Sequence, residues 1–324
     1  MARMTYADAA KLAVAEAMRA DPTVWCVGED LGRGGVFKQY TGLVEEFGPR
    51  RISDAPISEA AIMGAAFGAA MAGTRPIVEM RFADFALCAT DELVNQIAKA
   101  RFMFGGQSRA PMVIRKPMGM WRSSAAQHSQ SLESWYVHIP GLVVCCPATP
   151  QDNYAMMKAA IACDDPVVYL EHKDIWATEG EVDTSLPGRF GKAGLRRAGT
   201  DVTLVSWSNT ANLCVQAADR LAEDGINAEV IDLVSLWPWD KQAVLASVKK
   251  TGRLVVAHEA VCVAGFGAEV VATVAQTMVL KAPPVRLGSP RGLIAYAPNL
   301  EDQMRVTADM IAAAAKKTME FETA

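Results

Sequence analysis

The sequence predicts an α/β protein with two domains, each built on a mainly parallel sheet that helices cover. Short runs of β-branched residues alternate along the chain with longer, alanine-rich runs of helical period, a pattern typical of parallel sheets. The chain is 324 residues long and 51% apolar, which is enough for two domains and a large core without disulfide staples.

The predicted strands are short apolar runs bounded by turn residues. They cover residues 23–27, 76–80, 112–116, 142–146, 167–171, 202–206, 228–233, 253–257 and 285–287. Helical periodicity fills the stretches between them, at 6–20, 58–74, 88–104, 151–163, 210–224, 241–249, 266–279 and 300–319. Two helices have clear start signals, because Thr149 precedes a proline and Asp240 directly precedes a helical stretch.

The seam between the domains is predicted in residues 177–199, where turn residues and alternating charges replace apolar periodicity. We therefore expect a first domain over residues 1–185, a linker over residues 186–199 and a second domain over residues 200–324.

Charge and cysteine content exclude several classes of protein. The 32 basic and 36 acidic residues give a net charge of −4 without a charged block, so no nucleic-acid surface is expected. The seven cysteines include no Cys-x-x-Cys pair, which argues against a zinc site and predicts reduced thiols. The N-terminus lacks the apolar core of a signal peptide, and no uncharged apolar run reaches about 18 residues. We expect a cytoplasmic chain without a membrane span.

Residues 60–73 form an unusual helical stretch of alanine, glycine and a few larger apolar residues, with Gly64 and Gly68 four positions apart. A helix without a polar face is normally buried. Two interpretations stay open: tight packing inside its own domain, or burial against another subunit.

Two residues are candidates for acid–base chemistry. Glu59 stands at the start of this apolar helix, where it is either a partner of the helix dipole or a carboxylate directed at a ligand. His128 lies in a run of serine, alanine and glutamine that cannot form a core by itself, which favours a pocket lining. His138, His172 and His258 are more simply interpreted as structural, and no metal-ligand spacing joins the histidines.

Common nucleotide and nucleophile motifs are missing. Gly265 and Gly267 supply two glycines of a dinucleotide fingerprint, but Val270 occupies the third position. No Walker-type Gly-Lys-Ser/Thr and no Gly-x-Ser-x-Gly elbow occurs. The sequence therefore gives no support to a nucleotide-binding or serine-hydrolase site.

A set of short motifs runs through the chain in one order. They are Gly-Glu-Asp at 28–30, Pro-Ile-Ser-Glu at 56–59, Arg-Pro-Ile-Val-Glu at 75–79, Asp-Phe at 84–85, Phe-Met-Phe-Gly-Gly at 102–106, Gln-His-Ser-Gln at 127–130, His-Ile-Pro-Gly at 138–141, Asp-Pro-Val-Val at 165–168, Asp-Val-Thr-Leu-Val at 201–205, Ala-Glu-Val-Ile-Asp-Leu at 228–233 and Thr-Gly-Arg-Leu-Val-Val at 251–256. Each motif is weak alone, but the ordered set closely resembles the beta subunit of the dehydrogenase component of 2-oxo acid dehydrogenase complexes (pyruvate, branched-chain and acetoin types). The resemblance covers nearly the whole chain.

The resemblance implies a pyrimidine-binding thiamine diphosphate domain, with helices on both faces of a parallel sheet, followed by a transketolase-type C-terminal α/β domain. It also implies an alpha2beta2 heterotetramer in which the alpha subunit holds the cofactor diphosphate through Mg²⁺. The chain agrees, because the family's diphosphate motif, Gly-Asp-Gly with a later Asn, is absent. The implied partners are the alpha subunit, a lipoyl-bearing dihydrolipoyl acyltransferase and a small 2-oxo acid substrate. We expect this chain not to bind the cofactor alone.

By the same resemblance, several residues are expected at the cofactor. Glu59 is expected to hydrogen-bond the aminopyrimidine ring nitrogen, while Ile57 and Phe85 desolvate its carboxyl group and raise its pKa. The ring of Phe85 is also expected to pack on the pyrimidine. His128 is expected near the substrate carbonyl as a proton donor. Glu29 is expected to join a proton path between the two active sites, unless it is simply an exposed carboxylate at a strand end.

The family often holds a monovalent cation, K⁺, on main-chain carbonyls near the end of the first domain. The matching positions here are Met112, Ala160, Ile161, Cys163 and Asp165. Cys163 replaces an acid that is more frequent in the family, although a carbonyl ligand survives that change.

Other activities within this resemblance stay open. They are acetoin cleavage, a split transketolase that moves ketol units between sugars, and an assembly subunit without catalysis. The presence of both Glu59 and His128 argues against the last of these. Relatives carry a glycine-rich loop ahead of the histidine, whereas this chain has Met120 and Trp121 there. Trp121 either borders the acyl pocket or packs outward on the alpha chain.

Overall fold

The computed structural model describes residues 1–321, which divide into two compact units. The first unit contains Met1–Met118 and Trp135–Phe190. The second contains Gly119–Ser134 and residues 191–321. No sequence pattern indicated that Gly119–Ser134 belongs with the second unit.

A parallel sheet forms the centre of the first unit. The strands over residues 1–190 are β1 (Ala2–Thr5), β2 (Val24–Gly28), β3 (Ile52–Asp54), β4 (Arg75–Glu79), β5 (Val113–Met118), β6 (Val143–Cys145), β7 (Val167–His172) and β8 (Glu179–Val182). The α-helices are α1 (Tyr6–Ala20), α2 (Leu43–Phe47), α3 (Glu59–Met71), α4 (Ala100–Met103), α5 (Glu133–Val137) and α6 (Pro150–Ala162). Strands β2 to β7 pair in parallel in the order β6-β7-β5-β4-β2-β3, and β1 pairs antiparallel with β8.

The second unit has its own five-stranded sheet and its own core. Its elements are β9 (Gly194–Arg197), β10 (Val202–Ser206), α7 (Ser208–Glu223), β11 (Ala228–Asp232), β12 (Ser235–Trp237), α8 (Lys241–Thr251), β13 (Leu254–Val261), α9 (Gly267–Ala275), β14 (Val285–Ser289), α10 (Pro298–Glu301) and α11 (Ala308–Met319). The sheet order is β14-β13-β10-β11-β9, in which β9 is antiparallel to β11. Helices α7 and α11 pack on it through fully buried residues that include Leu221, Ile311 and Val255.

The predicted α/β class is confirmed, and local signals located most elements well. Each of the nine predicted strands is present, and none of their ends lies more than four residues from the predicted position. Both predicted caps form: the Thr149 hydroxyl accepts the N–H of Asp152 at 3.0 Å, and Asp240 accepts the N–H of Ala243 at 3.0 Å. The predicted limits 1–185 and 200–324 stay a prediction, and strand β9 lies inside the stretch expected as a linker.

Two predicted helices are wrong in their continuity. Residues 88–104 do not form one α-helix, because a π-helical turn at Glu92–Ile97 separates a 3₁₀ turn from the short helix α4. The backbone of Gly141 lies so close that a Cβ there would come within 1.8 Å of the Ala98 carbonyl oxygen. The stretch 300–319 is also divided, because Thr307 caps a new helix, α11, with its hydroxyl accepting the N–H of Met310.

Lys116 is a charged side chain placed inside the first unit. It is fully buried in β5, and its Nζ lies 3.9 Å above the ring centroid of Tyr136. Within residues 1–321, its Nζ has no hydrogen-bond partner. Burial lowers the pKa of Lys116 well below its usual value. The folded protein therefore holds an amine whose charged form is strongly disfavoured.

We expect Lys116→Met to stabilise the chain by about 1–3 kcal/mol at neutral pH, because it removes an unsatisfied buried donor. The pKa is lower in the folded state, so the unfolded state binds more protons below the ordinary lysine pKa of about 10.4. The stability of the wild type therefore rises with pH in this window, and the advantage of the mutant shrinks towards pH 10. Urea unfolding at pH 7 and pH 10 measures both effects. Lys249→Met, at an exposed position of α8, is the control; an equal gain at both pH values for Lys116→Met contradicts the assignment.

Candidate active site

The four predicted cofactor positions follow the carboxyl ends of three neighbouring parallel strands. Glu29 follows β2, Ile57 and Glu59 follow β3, and Phe85 follows β4. Strand β2 pairs in parallel with both β3 and β4, so the three segments leave the sheet at the same edge. Ligands of open parallel sheets bind at this edge.

Glu59 is the first residue of α3 and is partly exposed. Within the described chain, residues 1–321, its carboxylate makes no hydrogen bond or ion pair. The neighbouring Ile57 side chain is 74% exposed, so it does not cover Glu59 within this chain. An uncommitted carboxylate beside an exposed apolar side chain suits an aminopyrimidine ring, which presents both a hydrogen-bonding nitrogen and an apolar face. Any desolvation of Glu59 by Ile57 requires a ligand or partner to cover both.

Glu29 is buried, with 7% of its surface exposed, and is therefore not an exposed carboxylate at a strand end. A guanidinium nitrogen of Arg81 donates to its Oε2 at 3.3 Å. Burial raises the pKa of Glu29, the Arg81 charge opposes the rise, and the negative charge of Glu59 adds to it. The two carboxylates therefore lie close enough for the charge of Glu59 to act on Glu29.

Phe85 belongs to an aromatic cluster that fixes its ring. Its ring meets Phe82 edge to face with centroids 5.1 Å apart. Phe82 in turn meets Phe37 at 5.6 Å, and Phe37 meets Trp176 at 4.6 Å. Such edge-to-face contacts restrict the rings beyond simple burial. Phe85 is partly buried and keeps a surface available for contact.

His128 lies in the segment Gly119–Ser134, which the structure assigns to the second unit, whereas Glu59 lies in the first. His128 is partly exposed, and its backbone N–H donates to the Ala125 carbonyl at 3.3 Å. Met120 is buried, so it adds bulk to the core of this segment. Trp121 is partly exposed, with the guanidinium of Arg122 5.1 Å from its ring centroid.

The five predicted K⁺ carbonyls lie in the first unit, and most already accept hydrogen bonds. One guanidinium nitrogen of Arg75 donates to Ile161 O at 3.1 Å and to Cys163 O at 3.0 Å. Met112 O accepts from Val167, and Ala160 O accepts from Cys163. Each carbonyl oxygen keeps a second lone pair, so these bonds leave room for a further ligand. A cation there would lie beside the positive charge of Arg75.

The small-residue helix α3 is buried on one side only. Ile62, Met63, Ala66 and Ala70 are buried, whereas Gly68 and the alanines at 61 and 65 are exposed. A Cβ at Gly68 would meet nothing within 4 Å, and one at Gly64 would meet only the Glu92 side chain. Packing within this chain therefore does not explain the glycines. Burial against another subunit stays a prediction.

Sequence reasoning missed a buried ionic cluster on three adjacent strands, β4, β5 and β7. Arg115 donates to Glu171, with its Nη2 3.0 Å from Oε1, and its Nε lies 3.7 Å from Glu79 Oε2. The Tyr40 hydroxyl donates to Glu79 at 2.9 Å. Burial raises the pKa of Glu79 to about 7, while the Arg115 charge opposes the rise. The signal that could have found the cluster is a charged residue inside each of three otherwise apolar strand patterns.

Of the three histidines interpreted as structural, His172 and His258 have hydrogen-bond partners within the chain. The Nδ1 of His172 accepts the N–H of Asp174 at 3.2 Å, and the Nδ1 of His258 lies 3.1 Å from the Ala260 carbonyl. Burial lowers the pKa of His258 to about 4. Across residues 1–321, no group of three His, Cys, Asp or Glu side chains could hold a metal ion, and all seven cysteines are thiols. Within the same residues, no helix combines the length and apolar character needed to span a membrane.

The fold and this arrangement agree with two family models. Residues 2–177 match the pyrimidine binding domain of transketolase, and residues 191–311 match the transketolase C-terminal domain. A solved split-gene transketolase, described as an inactive beta4 tetramer, superposes with a TM-score of 0.82 at 23% identity and covers 98% of both chains. This likeness concerns the fold alone.

Curated relatives define the family more narrowly. The 2-oxoisovalerate dehydrogenase subunit beta of Bacillus subtilis is 40% identical and covers 99% of this chain and 100% of its own. The acetoin:2,6-dichlorophenolindophenol oxidoreductase subunit beta of Cupriavidus necator is 42% identical over 95% and 96% of the two chains. The pyruvate dehydrogenase E1 component subunit beta-1 of Arabidopsis thaliana is 40% identical over 92% and 84%. The chain therefore belongs to the beta subunits of the dehydrogenase (E1) components of 2-oxo acid and acetoin dehydrogenases. It is one subunit of a thiamine-dependent oxidoreductase of the transketolase-like class.

Proposed function

We propose that the chain assembles with an alpha subunit into an alpha2beta2 tetramer that decarboxylates a small 2-oxo acid and transfers the acyl group to the lipoyl domain of a dihydrolipoyl acyltransferase. The observation that carries the proposal is the uncommitted Glu59 carboxylate beside exposed Ile57 at the carboxyl edge of the first sheet. Full-length identity to three kinds of E1 beta subunit supports the reaction class.

Bound thiamine diphosphate would supply the electron sink that decarboxylation of a 2-oxo acid needs. The carboxyl group of Glu59 would hold a proton at the pyrimidine ring nitrogen. Ile57 and Phe85 would exclude water from that hydrogen bond, and desolvation of this kind favours a shared proton. His128 would donate a proton at the substrate carbonyl oxygen, a role typical of histidine.

The second half of the cofactor site is proposed to lie on the alpha subunit. The diphosphate needs a bound Mg²⁺, and the Gly-Asp-Gly motif that the resemblance associates with it is absent from this sequence. Glu29, whose pKa the nearby charge of Glu59 helps to raise, is proposed to relay protons away from the cofactor. K⁺ on the carbonyls near Arg75 and the cytoplasmic location stay predictions.

The assay that tests this function uses the tetramer reconstituted with the alpha subunit, Mg²⁺ and thiamine diphosphate. Reduction of an artificial electron acceptor is measured with pyruvate, with a branched 2-oxo acid, with acetoin and with a ketose phosphate. Turnover of a 2-oxo acid above that of acetoin supports the proposal. Preference for acetoin favours the second candidate function, which the 42% identity to an acetoin-oxidising subunit supports. Activity only with sugar phosphates would contradict both.

Trp121 offers a test of substrate selection. If its indole borders the acyl pocket, Trp121→Gly should change the ratio of kcat/KM between pyruvate and a bulky 2-oxo acid by more than tenfold. One methylene of pocket fit is worth about 1–3 kcal/mol, and an indole is much larger. Arg122→Gly is the control, because it removes the cation above the ring at a residue with φ of +47°, where glycine is tolerated. Equal losses for both substrates in an intact tetramer would show that Trp121 does not select the substrate.

A further inference from the structure

The segment Gly119–Ser134, which carries His128, has an unusual backbone. Three of its residues that are not glycine, Arg122, Ser123 and Ala125, have left-handed φ values of +47°, +57° and +62°. Each such conformation costs about 1–3 kcal/mol and persists only where the surroundings hold it. Something in the second unit must therefore fix this segment.

A single carboxylate oxygen fixes both sides of the segment. Glu259 Oε1 accepts the N–H of Met120 at 2.8 Å and the hydroxyl of Ser131 at 3.0 Å. These two residues stand before and after His128 in the sequence. The N–H of Gly119 also donates to Gln130 O at 3.3 Å, which joins the two ends of the segment directly.

The returning end of the segment is held by two further contacts within the second unit. The indole N–H of Trp207 donates to Glu133 Oε1 at 3.0 Å, and both side chains are buried. The N–H of Phe266 donates to the Ser134 hydroxyl at 2.8 Å. The segment therefore leaves strand β5 but is anchored to β13, to the residue after β10 and to the start of α9.

The support beneath Glu259 is rigid. Glu259 directly follows His258 in β13. The buried ring of His258 stacks on the Trp207 indole, with centroids 5.2 Å apart and an interplanar angle of 17°. A Cβ on Gly265 or Gly267 would come within 2.5 Å or 2.9 Å of that ring. This packing leaves the backbone at Glu259 little freedom to move.

We propose that Glu259 is a positioning residue that sets the place of His128, given the role proposed above for His128 at the substrate carbonyl. Glu259 holds the two flanks of the loop and does not itself touch the substrate. It acts through the backbone of Met120 and the hydroxyl of Ser131, so the arrangement needs a hydrogen-bond acceptor at this place and not a charge.

The test compares Glu259→Ala with Glu259→Gln in the reconstituted tetramer. The alanine variant should lower kcat by about 10²-fold, because a displacement of about 1 Å in a reacting group has an effect of that size. The glutamine variant should recover most of the activity, since its amide oxygen accepts the same two hydrogen bonds. Ser131→Ala removes only one of the two hydrogen bonds and should lower kcat by a smaller factor. It keeps the test available if Glu259→Ala fails to assemble. Equal losses in the alanine and glutamine variants would overturn the proposal.

A double variant shows whether Glu259 acts on kcat through His128. In a His128→Ala tetramer, Glu259→Ala should cause little further loss of kcat. If the two residues acted independently, their fold losses in kcat would multiply. Hydrogen exchange of residues 119–134 gives a readout without turnover: exchange should rise in Glu259→Ala and stay low in Glu259→Gln. Unchanged exchange in Glu259→Ala would overturn the proposal that Glu259 holds residues 119–134 in place. If His128→Ala alone leaves kcat intact, the proposed role of His128 fails, and the exchange measurement still decides the role of Glu259.

Glu229→Ala is the matched control. Glu229 is a buried carboxylate on another strand of the same sheet, β11, where it accepts the N–H of Gly199 at 3.2 Å and pairs with Lys250. Its loss removes a comparable buried acceptor without touching the loop. It should leave the exchange of residues 119–134 and the effect of His128→Ala unchanged. A rise in loop exchange equal to that of Glu259→Ala would mean that general loosening of the unit is the cause, and would overturn the proposal.

Discussion

Glu59→Gln is expected to abolish cofactor activation while the alpha2beta2 tetramer still assembles. An amide can hydrogen-bond the pyrimidine ring but cannot share a proton with it, and acid–base roles contribute about 10²–10⁴ in rate. Single-turnover decarboxylation of the 2-oxo acid by the reconstituted tetramer measures the loss. Size-exclusion chromatography of the same sample checks assembly.

The competing interpretation of Glu59 is a partner of the α3 dipole. If Glu59 only interacts with the helix dipole, removing its charge costs about 0.3–1 kcal/mol of stability and leaves turnover intact. Glu45→Gln is the matched control, because Glu45 is an exposed acid in the first turn of α2. Both variants should show a similar small change in melting temperature, but only Glu59→Gln should lose turnover. Activity within threefold of the wild type would remove Glu59 from the mechanism.

The second large effect concerns the isolated chain, which should have no turnover until the alpha subunit is added. The chain presents the pyrimidine side of the proposed site through Glu59, Ile57 and Phe85 but has no Gly-Asp-Gly motif for the diphosphate. Most of the binding energy of a charged diphosphate comes from its metal and hydrogen-bond donors. Adding the alpha subunit should raise activity from background to the level of the tetramer. The control is alpha subunit alone, which should also be inactive.

The parts of the fold that follow from local rules were predictable. Apolar strand runs and the caps at Thr149 and Asp240 depend on neighbours within a few residues, and all were placed correctly. Strand β3 (Ile52–Asp54) was missed because three residues carry almost no pattern. The break in the helix predicted at 88–104 involves Gly141, a residue distant in sequence, so periodicity could not show it.

The candidate site was predictable in its residues but not in its support. Glu59 and His128 stand in recognisable motifs, whereas the buried Glu29 takes its hydrogen bond from Arg81, 52 residues away. The contacts of Glu259 with Ser131 and Met120 span 128 and 139 residues. No local pattern encodes such pairings, and they decide which unit holds the His128 segment. The folded chain is needed to see them.

The most direct test of the split cofactor site is a calorimetric titration of the purified chain with thiamine diphosphate in the presence of Mg²⁺. The account predicts no measurable heat of binding for the beta chain alone and a saturable signal once the alpha subunit is added at equal concentration. Glu59→Gln in the mixture should weaken that signal without abolishing assembly. Tight binding of the cofactor by the beta chain alone would contradict the division of the site between two subunits.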